Sequence, residues 1–129
     1  MKPIHNLLKD KNILIVEDDK TTIYLIQQLL KQSNANIICA SSRMEVEDII
    51  DSGIDIHLII MNILRKDGIF EVDLIKGLKS TYPLAPVIVE TAITLDGLEQ
   101  QCFESGSDAF FLKPWSCDRL LNSIQELCA

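Results

Sequence analysis

Five short apolar runs constrain the fold of this chain more than any other feature. Their bounds are Asn12 to Val16 (NILIV), Asn36 to Ala40 (NIICA), His57 to Met61 (HLIIM), Pro86 to Glu90 (PVIVE) and Ala109 to Leu112 (AFFL). The first four lack the strict alternation of apolar and polar residues that is typical of a strand with one solvent-exposed face. They therefore predict strands buried on both faces, as in a parallel sheet covered by helices.

Segments with helical spacing separate these runs, which makes strand and helix alternate five times along the chain. The apolar stripes lie at 23–30, 74–78, 98–102 and 120–127, and a weaker helix is predicted from Met44 to Ile50. Asp19 and Ser42 are the predicted N-caps, while Gly53 and Gly106 stand where helices should end. The alternation predicts an open α/β sheet with helices on both faces.

Length and charge limit the classes of function. A chain of 129 residues fits one domain, here 1–129 with 1–11 as an N-terminal extension. Its formal net charge of −7 repels nucleic acid and anionic membranes, so we expect neither as a partner. The segment 1–11 lacks a sustained apolar stretch and reads neither as a signal peptide nor as a membrane span. The predicted location is the cytoplasm.

The four cysteines show no CxxC spacing. Cys39 and Cys102 lie in apolar periodic segments, where a thiol packs as a small hydrophobic group. We therefore predict reduced cysteines, which also suits a cytoplasmic protein.

Carboxylates gather where the first predicted strand ends. Glu17, Asp18 and Asp19 follow one another there, at the sheet edge where ligands of such folds bind. A phosphate-binding loop would be rich in Gly, Ser or Thr instead, so nucleotide and flavin phosphates are disfavoured. Clustered carboxylates suit Mg²⁺. The alternative is that Asp19 caps the next helix while the other two carboxylates are merely solvated.

Two further polar side chains end strands at the same edge. Thr91 follows the fourth run and Lys113 follows the fifth. A carboxylate pair, a hydroxyl and an ammonium on different strands can together surround a phosphoryl group. Taken singly, each reads equally well as an ordinary strand-end threonine or a surface lysine.

Four fragments carry a family resemblance: ILIVEDD at 13–19, the strand ending at Asn62, PVIVETA at 86–92 and ESGSDAFFLKPW at 104–115. In this order and at these separations, they make the chain similar to the response-regulator receiver domain of two-component signalling over nearly its whole length. The resemblance implies a flavodoxin-like, doubly wound, five-stranded parallel sheet, (βα)5, with strand order 2-1-3-4-5.

The resemblance also implies a metal site and a phosphoacceptor. Glu17 and Asp18 match the acidic pair that holds Mg²⁺, and Asn62 and Leu64 complete the implied ligand set. The family's acceptor is an aspartate that takes a phosphoryl group from a histidine kinase, and here that position is Asn62. An amide oxygen is too poor a nucleophile to form an acyl phosphate. We predict no phosphorylation at Asn62 and weakened Mg²⁺ binding, because the amide removes one negative charge.

The switch positions and the partner surface follow from the same resemblance. Thr91 matches the switch hydroxyl, Phe110 the aromatic that changes rotamer on activation, and Lys113 the phosphate-contacting lysine. The family's usual partner surface combines the fourth and fifth helices with the fifth strand. The implied partner is a histidine kinase, an output protein or a second copy of the chain.

Aromatic and acidic residues near that surface add two expectations. Phe111 and Trp115 lie close to it, with packing beneath the last helix as the alternative. Glu90 stands where many relatives carry an apolar residue, and we expect it to alter the surface near Phe110.

Three explanations of Asn62 remain open at this point. The domain is naturally degenerate and binds a partner without phosphoryl chemistry, or Asn62 is an engineered or recent replacement in an ordinary phosphoacceptor, or Asp18 or Asp19 accepts the phosphoryl group instead. The loop 63–68 reads ILRKDG and lacks the family's Met-Pro pair. A single deliberate substitution would leave that pair in place, so the loop favours the first explanation.

A small metal-dependent phosphatase or hydrolase is the alternative from another class. It would need a general base aimed at a pocket. His5 lies in the N-terminal extension and His57 opens the third strand at the far edge, so we predict that the protein is not an enzyme.

Overall fold

A parallel sheet forms the centre of the computed structural model, which describes residues 4–63, 65–66 and 69–128. Its strands are β1 (Asn12–Val16), β2 (Asn36–Ala40), β3 (Leu58–Met61), β4 (Val87–Thr91) and β5 (Ala109–Leu112). They pair in the order β2-β1-β3-β4-β5, all parallel. The predicted flavodoxin-like strand order is confirmed.

Five α-helices connect and cover these strands in the described part of the chain. They are α1 (Lys20–Leu30), α2 (Arg43–Asp51), α3 (Asp73–Thr81), α4 (Leu98–Glu104) and α5 (Cys117–Cys128). A 3₁₀ turn, Lys31–Ser33, follows α1, and two-residue strands, Arg65–Lys66 and Ile69–Phe70, pair antiparallel between β3 and α3. Both predicted N-caps are confirmed, because Asp19 accepts a hydrogen bond from the N–H of Thr21 and Ser42 accepts one from that of Glu45. None of the described helices has the length and apolarity needed to cross a membrane.

The strand bounds differ from the prediction at two places. β3 begins one residue late, at Leu58, and β4 runs from Val87 to Thr91 instead of from Pro86 to Glu90. Proline has no N–H to give to a ladder, whereas the carbonyl of Thr91 accepts the N–H of Lys113 at 2.8 Å. The ladder therefore continues through Thr91.

Alternate residues of the central strands enter two separate cores. Leu14 and Val16 of β1 enter the first core, which α2, α3 and α4 cover. Ile13 and Ile15 enter the second, which α1 and α5 cover together with Ile4 and Leu8 of the N-terminal extension. Burial on both faces thus explains the runs without alternation in β1, β3 and β4. The prediction is wrong for β2, an edge strand in which only Ala40 is buried.

The two cysteines that we expected to be buried differ in their exposure to solvent. Cys102 lies in the first core, but Cys39 is exposed, so its prediction is wrong. β2 pairs only with β1 and forms an edge of the sheet, where fewer neighbours cover a side chain than in a central strand.

The strand order creates a crevice beside β1. β1 lies between β2 and β3, so the chain path reverses direction there, and such a switch point is where open α/β sheets bind ligands. Glu17 directly follows β1 and Asn62 directly follows β3. The fold therefore brings both residues to one place.

Candidate functional site

Glu17 is the centre of the hydrogen-bond network at this crevice. Its side chain is fully buried. Oε1 accepts the backbone N–H of Asp19 at 3.1 Å and the Nδ2–H of Asn62 at 3.2 Å, while Oε2 accepts the Nζ–H of Lys113 at 3.1 Å. Both carboxylate oxygens are therefore engaged with groups of the chain itself.

Lys113 bridges two buried acidic side chains. Its Nζ lies 3.1 Å from Glu17 Oε2 and 3.6 Å from Glu90 Oε1. Burial acts to lower the pKa of Lys113, but the carboxyl groups of Glu90, Glu17 and Asp19 outweigh it, and the pKa is raised. The ammonium is therefore the positive charge of this site.

Glu90 faces the interior, and the expectation that it alters the partner surface is wrong. It is fully buried, and its Oε1 accepts the indole N–H of Trp115 at 3.3 Å. Phe110 is opposite Val89 in the neighbouring strand, and both of these residues contact the first core. Because side chains alternate along a strand, Glu90 points to the other face, where Trp115 packs against the second core.

Glu17 and Glu90 are two buried acidic side chains that share Lys113 as a neighbour. The Oε2 of Glu90 is buried and has no hydrogen-bond partner among the described residues. Burial, with the neighbouring charge of Glu17, raises the pKa of Glu90 to about 9. Burial also acts to raise the pKa of Glu17, but its interactions with Glu90, the Asp19 N–H and Lys113 outweigh it and lower the pKa. At neutral pH the site holds a carboxylic acid, a carboxylate and an ammonium.

The other two carboxylates of the acidic triplet have different roles. Asp19 caps α1 and also accepts the hydroxyl of Thr22 at 2.6 Å, which is the main reason that its pKa is lowered. Asp18 is exposed. Leu64 of the implied ligand set lies outside the described residues.

The amide of Asn62 is oriented by its neighbours. Its backbone N–H bonds to the carbonyl of Val16 at 2.8 Å, and its side-chain nitrogen faces Glu17. Its Oδ1 is buried and has no hydrogen-bond partner among the described residues. A single neutral oxygen is thus the one part of this side chain left for a further ligand.

The residues at the implied switch positions, Thr91 and Phe110, belong to neighbouring strands. Thr91 is buried, and its Oγ1 accepts the N–H of Ile93 at 3.2 Å. Phe110 is half-buried against the first core. Phe111 and Trp115 pack against the second core, which α5 covers, so core packing accounts for the buried part of both aromatics.

Neither histidine lies at this crevice. His5 is exposed in the N-terminal extension. His57 precedes β3 at the opposite end of the sheet, where its Nδ1 accepts the N–H of Asn12 at 3.0 Å and its Nε2 lies 3.3 Å from Asp55. The geometry supplies no histidine base beside Glu17.

Comparisons with known proteins agree with this arrangement. A family model described as the response regulator receiver domain matches residues 13–125. The chain belongs to this family.

Named relatives place this receiver domain among signalling proteins. It is 30% identical over 115 residues to the transcriptional regulatory protein CpxR of Escherichia coli (strain K12), covering 89% of this chain and 48% of that protein. It is 24% identical over 144 residues to probable histidine kinase 6 of Oryza sativa subsp. japonica, covering 96% of this chain and 15% of that protein. The chain therefore spans about half the length of CpxR and a smaller share of the length of the kinase.

Solved structures show the same fold. The crystal structure of a CheY-like response regulator receiver domain protein from Methanospirillum hungatei JF-1 matches with a TM-score of 0.80 and 24% identity, covering 92% of this chain and 93% of that chain.

Receiver domains generally bind Mg²⁺ at the acidic site. Mg²⁺ demands near-octahedral oxygen coordination, but both oxygens of Glu17 already accept hydrogen bonds, and Asn62 turns its nitrogen toward them. Across the described ranges, no group of three or more His, Cys, Asp or Glu side chains is placed to hold a metal ion. As arranged, Glu17 is engaged within the chain, whereas the exposed Asp18 and the Oδ1 of Asn62 are the groups that could hold Mg²⁺.

Proposed function

We propose that this receiver domain of two-component signalling is not phosphorylated at Asn62 and acts as a phosphorylation-independent protein-interaction module. The observation that carries the proposal is the amide at the end of β3, oriented by a hydrogen bond to Glu17 at 3.2 Å. An acyl phosphate needs a carboxylate nucleophile. The proposal includes a single domain over 1–129, a cytoplasmic location and no catalytic turnover.

The proposal extends to the metal. Glu17, Asp18, Asn62 and Leu64 are the candidate ligands, and we infer that Mg²⁺ binding is weakened. Two observations support this inference: the amide is neutral, and Lys113 already contacts Glu17 at 3.1 Å. A cation that displaced the ammonium would have to offset the free energy lost when a buried ion pair is broken.

Incubation with Mg²⁺ and a small-molecule phosphodonor tests the phosphorylation state directly. We expect the natural chain to show no phosphoryl adduct by intact-mass spectrometry, because no carboxylate stands at the acceptor position. A receiver domain with an aspartate at this position, treated in parallel, controls for the activity of the donor.

Two results would contradict the proposal or refine it. A phosphoryl adduct on the natural chain contradicts it, and peptide mapping would then distinguish Asp18 from Asp19 as the acceptor. An adduct on Asn62→Asp alone would favour the alternative that Asn62 is an engineered or recent replacement in an otherwise ordinary phosphoacceptor.

The proposed partner surface is formed by α4, β5 and α5. Phe103 of α4 and Leu112 of β5 are exposed there, and exposed large apolar side chains mark interaction surfaces when they lie together. The proposed partners are a histidine kinase, an output protein or a second copy of this chain.

Charged substitutions test this surface against a matched control. We expect Phe103→Asp and Leu112→Asp to weaken binding to the cognate kinase or output protein by at least about tenfold, as loss of an apolar anchor does. Leu84 is also exposed, but it precedes β4 at the other end of the sheet, so Leu84→Asp should bind normally. Sedimentation of the chain alone measures self-association in the same three variants. Equal effects of all three substitutions would contradict the assigned surface.

A further inference from the structure

Lys113 contacts Glu90 as well as Glu17, although only Glu17 stands at a position that matches the family's acidic pair. Its ammonium lies between Glu17 Oε2 at 3.1 Å and Glu90 Oε1 at 3.6 Å. Glu90 is in turn held by Trp115, whose indole N–H donates to the same Oε1 at 3.3 Å. We call these four side chains, Glu17, Glu90, Lys113 and Trp115, the internal clamp.

The clamp joins three strands. Glu17 follows β1, Glu90 belongs to β4, and Lys113 and Trp115 follow β5. Both glutamates are fully buried, so water cannot replace a lost contact without opening the structure. Removing Glu90 therefore costs Trp115 its hydrogen bond and Lys113 its second carboxyl neighbour.

We propose that Glu90 is a positioning residue that holds Lys113 on Glu17, and that the resulting internal clamp withholds Glu17 from divalent cations independently of Asn62. This inference deepens the proposed function, on which it rests, by assigning a second cause of weakened metal binding. It predicts that Asn62→Asp alone recovers only part of the metal affinity, through Asp18 and the new aspartate.

The argument depends on the number of free oxygens. Mg²⁺ needs several oxygen ligands that are not already occupied. In the clamp, Glu17 Oε2 is taken by Lys113 and Glu17 Oε1 by two N–H groups. Asp18 is exposed and lies outside the clamp, so the clamp withholds one of the two candidate carboxylates. Replacing Asn62 would free one contact of Oε1 and leave the rest in place.

Removing Glu90 is expected to change the contacts of Lys113 and Glu17 more than replacing Asn62 does. Without Glu90 Oε1, Lys113 loses its second contact, and a carboxylate at position 62 would draw the ammonium away from Glu17. Glu17 Oε2 and the new aspartate would then be available to a cation. Glu90→Gln keeps an oxygen that can accept from Trp115 and contact Lys113, whereas Glu90→Leu keeps none.

The test compares Mg²⁺ binding in variants of the full chain. Binding is read by titration calorimetry and by the fluorescence of Trp115, the single tryptophan of the chain. The set consists of Asn62→Asp alone and of Asn62→Asp combined with Glu90→Leu, Glu90→Gln or Glu99→Gln. Glu99 is an exposed acid of α4 and controls for the loss of one carboxyl group outside the clamp.

We expect the Glu90→Leu combination to bind Mg²⁺ at least about tenfold more tightly than Asn62→Asp alone, the scale on which supporting residues tune metal affinity. The Glu90→Gln and Glu99→Gln combinations should match Asn62→Asp. Circular dichroism checks folding, and Glu90→Val replaces Glu90→Leu if the larger side chain does not fold.

Other outcomes overturn the inference. If Asn62→Asp alone binds Mg²⁺ as tightly as the Glu90→Leu combination, the clamp does not withhold Glu17. If neither binds, Glu90 is not what weakens the site. Failure of the proposed function would instead appear as a phosphoryl adduct on the natural chain, which these titrations do not measure.

Discussion

Lys113→Met is expected to lower the free energy of unfolding by about 3 kcal/mol, the scale on which removing one partner of a buried ion pair destabilises a protein. Lys113 is the cation beside two fully buried glutamates, at 3.1 Å from Glu17 and 3.6 Å from Glu90. Methionine keeps most of the apolar stem but removes the ammonium. The Glu17 carboxylate would then lose its only buried positive neighbour among the described residues. Urea denaturation at neutral pH measures the loss.

An exposed lysine supplies the control for this substitution. Lys76 of α3 is exposed, and Lys76→Met should change the free energy of unfolding by less than about 0.5 kcal/mol. Similar losses in both variants would show that Lys113 is an ordinary surface lysine. That result would also remove the basis of the internal clamp.

The stability gap between the natural chain and Glu90→Gln is expected to change with pH. Burial and the neighbouring Glu17 raise the pKa of Glu90 to about 9, from its ordinary value of 4.5. Between these values the folded state keeps a proton on Glu90 that the unfolded state has lost. The contribution of Glu90 to stability is therefore fully present below pH 4.5 and is lost as the pH rises toward about 9.

Glutamine at position 90 cannot lose this proton. We expect the natural chain to lose at least about 2 kcal/mol of stability relative to Glu90→Gln between about pH 5 and about pH 9. The lowered pKa of Glu17 acts in the opposite direction, because its contribution is lost as the pH falls through the acidic range, but Glu17 is present in both proteins. Urea titrations across this range measure the gap, and parallel stability curves would contradict a raised pKa of Glu90.

The sheet was predictable because its residues obey local rules. β1, β2 and β5 begin and end where the apolar runs do, since a charged or hydroxyl residue directly follows each run: Glu17, Ser41 and Lys113. Asp19 and Ser42 were recognisable as caps because a helix start needs a side-chain acceptor nearby in sequence. The exposure of Cys39 was not predictable in this way, because an apolar run does not indicate whether its strand lies at the edge of the sheet.

Part of the site was also predictable. Glu17, Asn62, Thr91 and Lys113 all follow or end strands of one parallel sheet, and parallel strands bring their carboxyl ends to one edge. The side-chain direction of Glu90 could have been predicted from the two-residue period of a strand. Val89 and Glu90 are adjacent in β4, so their side chains must face opposite sides of the sheet. Position 90 is therefore on the face away from Phe110 and its core.

The sequence by itself determined the parallel α/β fold, the acidic edge and the absence of a carboxylate at position 62, because each depends on residue type, spacing or strand order. Only the tertiary structure decided how the charges are paired. Glu17 and Lys113 are far apart in the chain, yet their side chains lie 3.1 Å apart. Glu90 lies 3.6 Å from Lys113 and accepts the indole N–H of Trp115. Such pairing depends on distances between side chains from three different strands, which no local pattern of residues encodes.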